Sequence, residues 1–82
     1  MAEGSAEELL ERITVDPDIL AGKPVIKGTR ISVELILELL ANGWSFEQIL
    51  ENYPQLSMQD IRAAIRYAAE VLKGERVYQI PE

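Results

Sequence analysis

The stretch that decides the fold is Gly43-Trp44-Ser45-Phe46-Glu47-Gln48-Ile49-Leu50-Glu51-Asn52-Tyr53-Pro54-Gln55-Leu56-Ser57-Met58-Gln59-Asp60-Ile61. It carries the same helix-opening grammar twice. Ser45 suits an N-cap, Gln48 is its capping-box partner three residues on, and Trp44 and Ile49 flank them as a hydrophobic staple. Leu56, Ser57, Asp60 and Ile61 repeat the pattern, with Ser57 as cap and Asp60 as the reciprocal acid. Pro54 cannot sit inside a helix, because it lacks the N–H and its ring clashes with the preceding turn. The reading is therefore one helix from Phe46 to before Pro54, a turn over Tyr53-Pro54-Gln55-Leu56, and another helix from Met58 to Lys73 closed by Gly74.

Working back from Gly43, which stands where a left-handed C-terminal cap belongs, Ser32 caps a helix running to about Asn42. Val33, Ile36, Leu37 and Leu40 share one face, Leu35 and Leu39 widen it, and Glu34, Glu38 and Asn42 leave only a narrow solvated stripe. Such a helix belongs at the centre of a core. Before it, Ile13-Thr14-Val15 and the β-branched residues between Pro24 and Ile31 suggest a small β element over residues 13–31, with Gly28 supplying the positive φ of a tight reversal. Asp16-Pro17 opens a single helical turn that Gly22 ends. Ser5 with Glu8 forms a further capping box for a short helix within residues 1–12.

On a helical wheel of the last helix, Ile61, Ala64, Ile65, Ala68 and Leu72 cluster on one side and Gln59, Arg62, Ala63, Arg66, Glu70 and Lys73 on the other. Ile61, Ile65, Leu37 and Leu40 are thus expected to be nearly fully buried. An exposed Ile65, or residues 46–73 as one unbroken helix, would sink the trihelical reading. The chain is divided into a short helix or tail at 1–12, a single domain at 13–74, and a C-terminal tail at 75–82 whose weak alternation suits an added strand or a loose end.

Composition narrows the chemistry. At 82 residues and 9.2 kDa there is room for one small domain, near the lower limit for folding alone, so self-association is a live expectation. Hydrophobic residues at 48% with 27% charged describe a globular chain rather than a disordered one. Glu34, Glu38 and Asn42 interrupt the longest apolar run, and the acidic start lacks the basic and apolar regions of a secretion signal, so a cytoplasmic protein is expected. With no Cys and no His, disulfides, thiolate chemistry, the usual zinc sites and the commonest general base are absent. The net charge of −6 argues against coating nucleic acid by bulk attraction.

The four serines at 5, 32, 45 and 57 all fall at helix starts, where a hydroxyl caps rather than attacks. The stretch Gly22 to Arg30 lacks the Gly-Lys-Ser/Thr order of a phosphate cradle and reads as turn glycines. Asp16 and Asp18 are too few oxygens for a cation, so no metal or cofactor is expected. Trp44, Phe46, Tyr53 and Tyr67 suit core and core-edge positions. Three helices in this order fit a homeodomain-like helix-turn-helix unit, whose last helix enters the major groove. Gln59, Arg62 and Arg66 are then the candidate base readers, and Lys23, Lys27 and Arg30 candidate phosphate contacts. The competing reading of the same residues is an ordinary solvated helix face.

The ordered series Ile13-x-x-Asp16-Pro17, Gly22-Lys23-Pro24-x-Ile26-x-Gly28-Thr29-Arg30-Ile31-x-Val33, Gly43-x-Ser45-x-Glu47-x-Ile49, Tyr53-Pro54-x-Leu56 and Ala63-Ala64-Ile65-x-Tyr67-Ala68 resembles the bacterial and archaeal family called domain of unknown function 433. The likeness runs from Ile13 to about Ala69, with Ser32 where that family more often has proline. It implies a homeodomain-like trihelical core behind a short β element, with Gly28, Thr29 and Arg30 as a family-defining loop. It also implies kinship with VapB-type antitoxins, which neutralise a PIN-like ribonuclease and repress their own promoter. On that reading Lys73, Arg76, Val77, Tyr78 and Ile80 are partner-binding candidates, since a guanidinium pairs strongly with the clustered carboxylates of such a nuclease. The expectation is a mainly α, non-catalytic antitoxin that binds operator DNA as a homodimer. The alternative is a protein-interaction or dimerisation module without DNA affinity.

Overall fold

The computed structural model describes residues 6–74. In chain order they form α1 (Ala6–Leu10), β1 (Ile13–Val15), β2 (Pro24–Ile26), α2 (Val33–Ala41), α3 (Phe46–Asn52) and α4 (Met58–Gly74). The architecture is mainly helical, with one two-stranded antiparallel sheet.

The sheet pairs Ile13 with Ile26, Thr14 with Val25 and Val15 with Pro24. Beyond it the Lys27 N–H donates to the Arg12 carbonyl at 2.8 Å. Asp16 opens the connection by accepting the Asp18 N–H at 2.9 Å, and the chain then reverses through Leu20, Ala21 and Gly22. The sequence suggests an ordinary helical turn here. Leu20 and Ala21 instead adopt φ of 50° and 58°, a left-handed turn, because two three-residue strands must be brought side by side within a short span. After β2, Gly28 at φ 83° lets the chain reverse again. Thr29 locks this turn: its hydroxyl donates to the Ile26 carbonyl at 2.8 Å and accepts the Ile31 N–H at 2.9 Å.

Each long helix begins on a serine, as the sequence requires. Ser32 Oγ accepts the Leu35 N–H at 2.9 Å. Ser45 Oγ accepts the Gln48 N–H at 3.0 Å while Gln48 Oε1 accepts the Ser45 N–H at 2.8 Å. Ser57 Oγ accepts the Asp60 N–H at 3.3 Å while Asp60 Oδ2 accepts the Ser57 N–H at 2.9 Å. Gly43 at φ 95° ends α2, with its own N–H and that of Trp44 returning to the Leu40 and Leu39 carbonyls. The capping box proposed at Ser5 lies outside the described residues.

The core gathers Ile26 and Ile31 from the β region, Val33 and Ile36 from α2, Ile49 from α3, Leu56 from the turn, and Ile61 and Ala64 from α4. Trp44, Phe46, Tyr53 and Tyr67 pack half-buried against it, at the core edge where the sequence places them.

Five burial expectations need correction. Ile65 is 41% exposed and Leu72 is 59% exposed, whereas Ala63, assigned to the polar face, is fully buried. Leu37 and Leu40 are half-buried rather than enclosed. The cause is packing on two sides of α4. Besides meeting α2 and α3, α4 receives α1 and β1, and Arg12 at their junction reaches Asp60. That contact turns the side bearing Asp60 and Ala63 inward and rolls Ile65 and Leu72 out to solvent. An exposed Ile65 counts against the close trihelical packing read from the wheel.

Candidate functional site

The cations proposed to meet DNA do not form one free basic surface. Lys23 Nζ lies 3.0 Å from Glu34 Oε1, Arg66 and Lys73 both lie 3.4 Å from Glu70 Oε2, and Arg12 is bound to Asp60. Lys27, Arg30 and Arg62 are exposed and form no ion pair among the described residues. Gln59 is half-buried in the first turn of α4. Arg76, Val77, Tyr78 and Ile80 lie outside the described residues.

The outer face of α4 is also shared with α1. Leu9 is only 5% exposed and, with Arg62, Ile65, Arg66 and Ala69, lines a cleft of about 320 Å³. α1 is acidic at Glu7 and Glu8. A helix carrying carboxylates beside Arg62 and Arg66 lowers the positive potential that would draw in a phosphate backbone.

The other side of α4 is different in kind. Between α2 and α4 runs an open groove of about 550 Å³, walled by Val33, Leu37 and Ala41 from α2 and by Tyr67, Ala68 and Val71 from α4. Leu72 forms its outer lip, Pro24 also lines it, and Glu34 and Glu38 border it on α2. Past the lip, Met58, Ile65 and Leu72 recur at every seventh position along about 21 Å of helix, so they form one nearly straight ridge. They are 40%, 41% and 59% exposed. Groove and ridge meet at Leu72, while Ile65 also borders the cleft beside α1, and the resulting apolar band has an acidic margin on α2. Lys73 and Arg62 follow the ridge around α4 on the opposite margin, with Glu70 beside Lys73 and the acidic α1 beside Arg62.

The hydroxyls of Ser32, Ser45 and Ser57 are engaged as caps. No cluster of carboxylates that would hold a metal ion occurs among the described residues, and none of their buried side-chain polar atoms lacks a hydrogen-bond partner. No helix of the described residues is long and apolar enough to cross a membrane.

Comparison with known proteins gives the lineage. A family model described as a protein of unknown function, DUF433, matches residues 13–68. The chain belongs to the DUF433 family. The matched span covers both strands, the Gly28-Thr29 turn, α2, α3 and most of α4, and stops just short of Val71 and Leu72. The DUF433 chain is 45% identical over 67 residues to the uncharacterized protein y4eO of Sinorhizobium fredii. Those residues are 80% of this chain and 30% of that protein, so the chain spans under a third of its relative's length. The crystal structure of a DUF433 member from Anabaena variabilis superposes with a TM-score of 0.73 at 28% identity, covering 83% of this chain and 67% of that one.

Sequence reasoning missed two features of this DUF433 chain. The Arg12–Asp60 link joins residues 48 positions apart and leaves no local signal. The ridge did leave one, the heptad spacing of Met58, Ile65 and Leu72, but spacing alone does not say whether a stripe faces inward or outward.

Proposed function

We propose that this chain is a non-catalytic protein-interaction module that docks through the apolar band on α2 and α4. The observation that carries this reading is the open apolar groove between α2 and α4 with the exposed Val71 and Leu72 at its edge, an apolar surface that a small monomer would leave wet at a cost proportional to its area. Burying a large aliphatic side chain is favourable by about 1.5–3 kcal/mol relative to full exposure, and the half-exposed Ile65, Leu72 and Val71 have part of that still to gain. The engaged serines and the lack of any paired nucleophile and base among the described residues support a binding role over an enzymatic one.

The test uses the product of the neighbouring reading frame, co-expressed with the full chain, together with the hydrodynamic size of the chain alone. The Ile65→Glu and Leu72→Glu variants keep the helical circular dichroism of the parent and lose association, whether with that product or with a second copy. Association unchanged in both folded variants would refute the assignment of the band.

A second reading rests on Arg62, exposed and without an ion pair among the described residues, on a helix that follows a short turn after α3. In it the chain is a homeodomain-like, cytoplasmic antitoxin of a toxin–antitoxin pair that neutralises a PIN-like nuclease and places α4 on operator DNA. Arg62→Ala would then weaken a salt-dependent operator shift, by about 1–3 kcal/mol if it reads a base. A shift that ignores both salt and Arg62 would leave the interaction module without a DNA role.

A further inference from the structure

We propose that the occupant of the band is a second copy of this chain, with the Ile65–Leu72 ridge of one copy seated in the α2–α4 groove of the other. This rests on the interaction-module reading and names its partner.

Self-complementarity is the first ground. In a two-fold dimer the same patch must supply both the inserting group and the receiving one. Here Leu72 belongs to both the ridge and the groove, with Ile65 two turns before it on the same helix stripe, so a single rotation sets both ridges toward the facing grooves. Ala41 and Ala68 line the groove with small side chains, which lets a second helix approach closely. Leu72, the most exposed large hydrophobic among the described residues, stands at the lip where an inserting side chain belongs.

Charge selects the orientation. The band has Glu34 and Glu38 on its α2 margin and Lys73 beyond the ridge on its α4 margin. A two-fold axis running along α4 lays the α4 margin of one copy over the α2 margin of its partner, setting Lys73 beside the partner's acids. An axis across the helices would set acid on acid and base on base, which is destabilising. Glu38 forms no ion pair among the described residues, and the Lys73 side chain is 65% exposed with a contact to Glu70 at 3.4 Å, so both can take a partner across the interface. The orientation that pairs these charges also places each ridge over a groove.

Sedimentation velocity and light scattering on the full chain, over a wide concentration range, decide the matter. A reversible dimer is expected. Leu72→Glu raises its dissociation constant by roughly 30-fold or more, the loss typical of a central interface anchor, while circular dichroism stays that of the parent. Glu38→Lys and Lys73→Glu each weaken the dimer, and the double variant recovers most of the affinity because the pair is only reversed in sign. A chain that is monomeric throughout, or a dimer indifferent to Leu72→Glu, overturns the proposal. Two weakened single variants with no recovery in the double overturn the two-fold geometry. If deleting residues 75–82 turns a monomer into a dimer, the chain's own end is the occupant and a second copy is not. If the chain is monomeric but Leu72→Glu abolishes copurification with the neighbouring product, the second-copy assignment fails while the interaction module stands. If neither form of association responds to Leu72→Glu, both fail.

Discussion

Asp60 joins the two halves of the fold, and removing its carboxylate should cost far more than its place in the first turn of a helix suggests. Oδ2 accepts the Ser57 N–H at 2.9 Å, closing the capping box of α4, and Oδ1 accepts from Arg12 Nη1 at 3.1 Å, tying the junction of α1 and β1 to that same turn. The Asp60 side chain is 11% exposed and that of Arg12 is 44% exposed, so the ion pair is shielded on one side only. A cap interaction contributes about 0.5–2 kcal/mol. The half-exposed pair adds about 0.5–1.5 kcal/mol, above a surface pair but below the cost of breaking a buried one. Asp60→Ala should therefore destabilise by about 1–3.5 kcal/mol, lowering Tm by roughly 4–8 °C for each kcal/mol. Asp60→Asn keeps an oxygen for the Ser57 N–H and should lose only the ionic part. Urea unfolding followed at 222 nm, on Asp60→Asn, Arg12→Met and the double variant, yields a coupling energy of about 1 kcal/mol. A loss below about 0.5 kcal/mol for Asp60→Ala, or no coupling in the cycle, would refute the view that this contact sets the roll of α4.

Two further perturbations test the packing. Ile61→Ala, at a fully buried site, should cost about 2–5 kcal/mol in urea unfolding, whereas Ile65→Ala, one turn further on at 41% exposure, should change stability by under about 1 kcal/mol; equal losses would restore the wheel's inward-facing Ile65. Gly43→Ala places a Cβ at φ 95° and should lower stability by about 1 kcal/mol or more although nothing crowds the site, while Gly74→Ala, which has no such φ, should be neutral or slightly stabilising in thermal melts.

The helices were legible from local grammar because a cap needs only its own neighbours. Ser32, Ser45 and Ser57, with Gly43 and Pro54 as stops, place α2, α3 and α4 with hardly any tertiary information, since orphan N–H groups are satisfied within one turn. A β element over residues 13–31 was legible from its β-branched runs, though the pairing of 13–15 with 24–26 was not, and the Ile13-to-Ala69 likeness anticipated the family match at residues 13–68. The left-handed turn at Leu20 and Ala21 was not legible, because neither residue favours positive φ and only the surrounding chain holds them there.

The candidate site divides along the same line. The residue types on α4 are written in the sequence: a Met58, Ile65, Leu72 repeat, a basic side and alanines between. Which of those sides faces the core is a property of everything packed on the helix. A wheel ranks faces by hydrophobicity, and by that measure Ile65 outranks Ala63. The folded chain instead seats α1 and β1 beside Asp60 and Ala63 through Arg12, a contact across 48 residues, and that roll leaves Ile65 and Leu72 beside an open groove. Local hydrogen bonding determined where each helix begins and ends. Long-range packing alone decided which face of α4 was left exposed, because burial is settled jointly by all the elements that touch a helix and not by the helix itself.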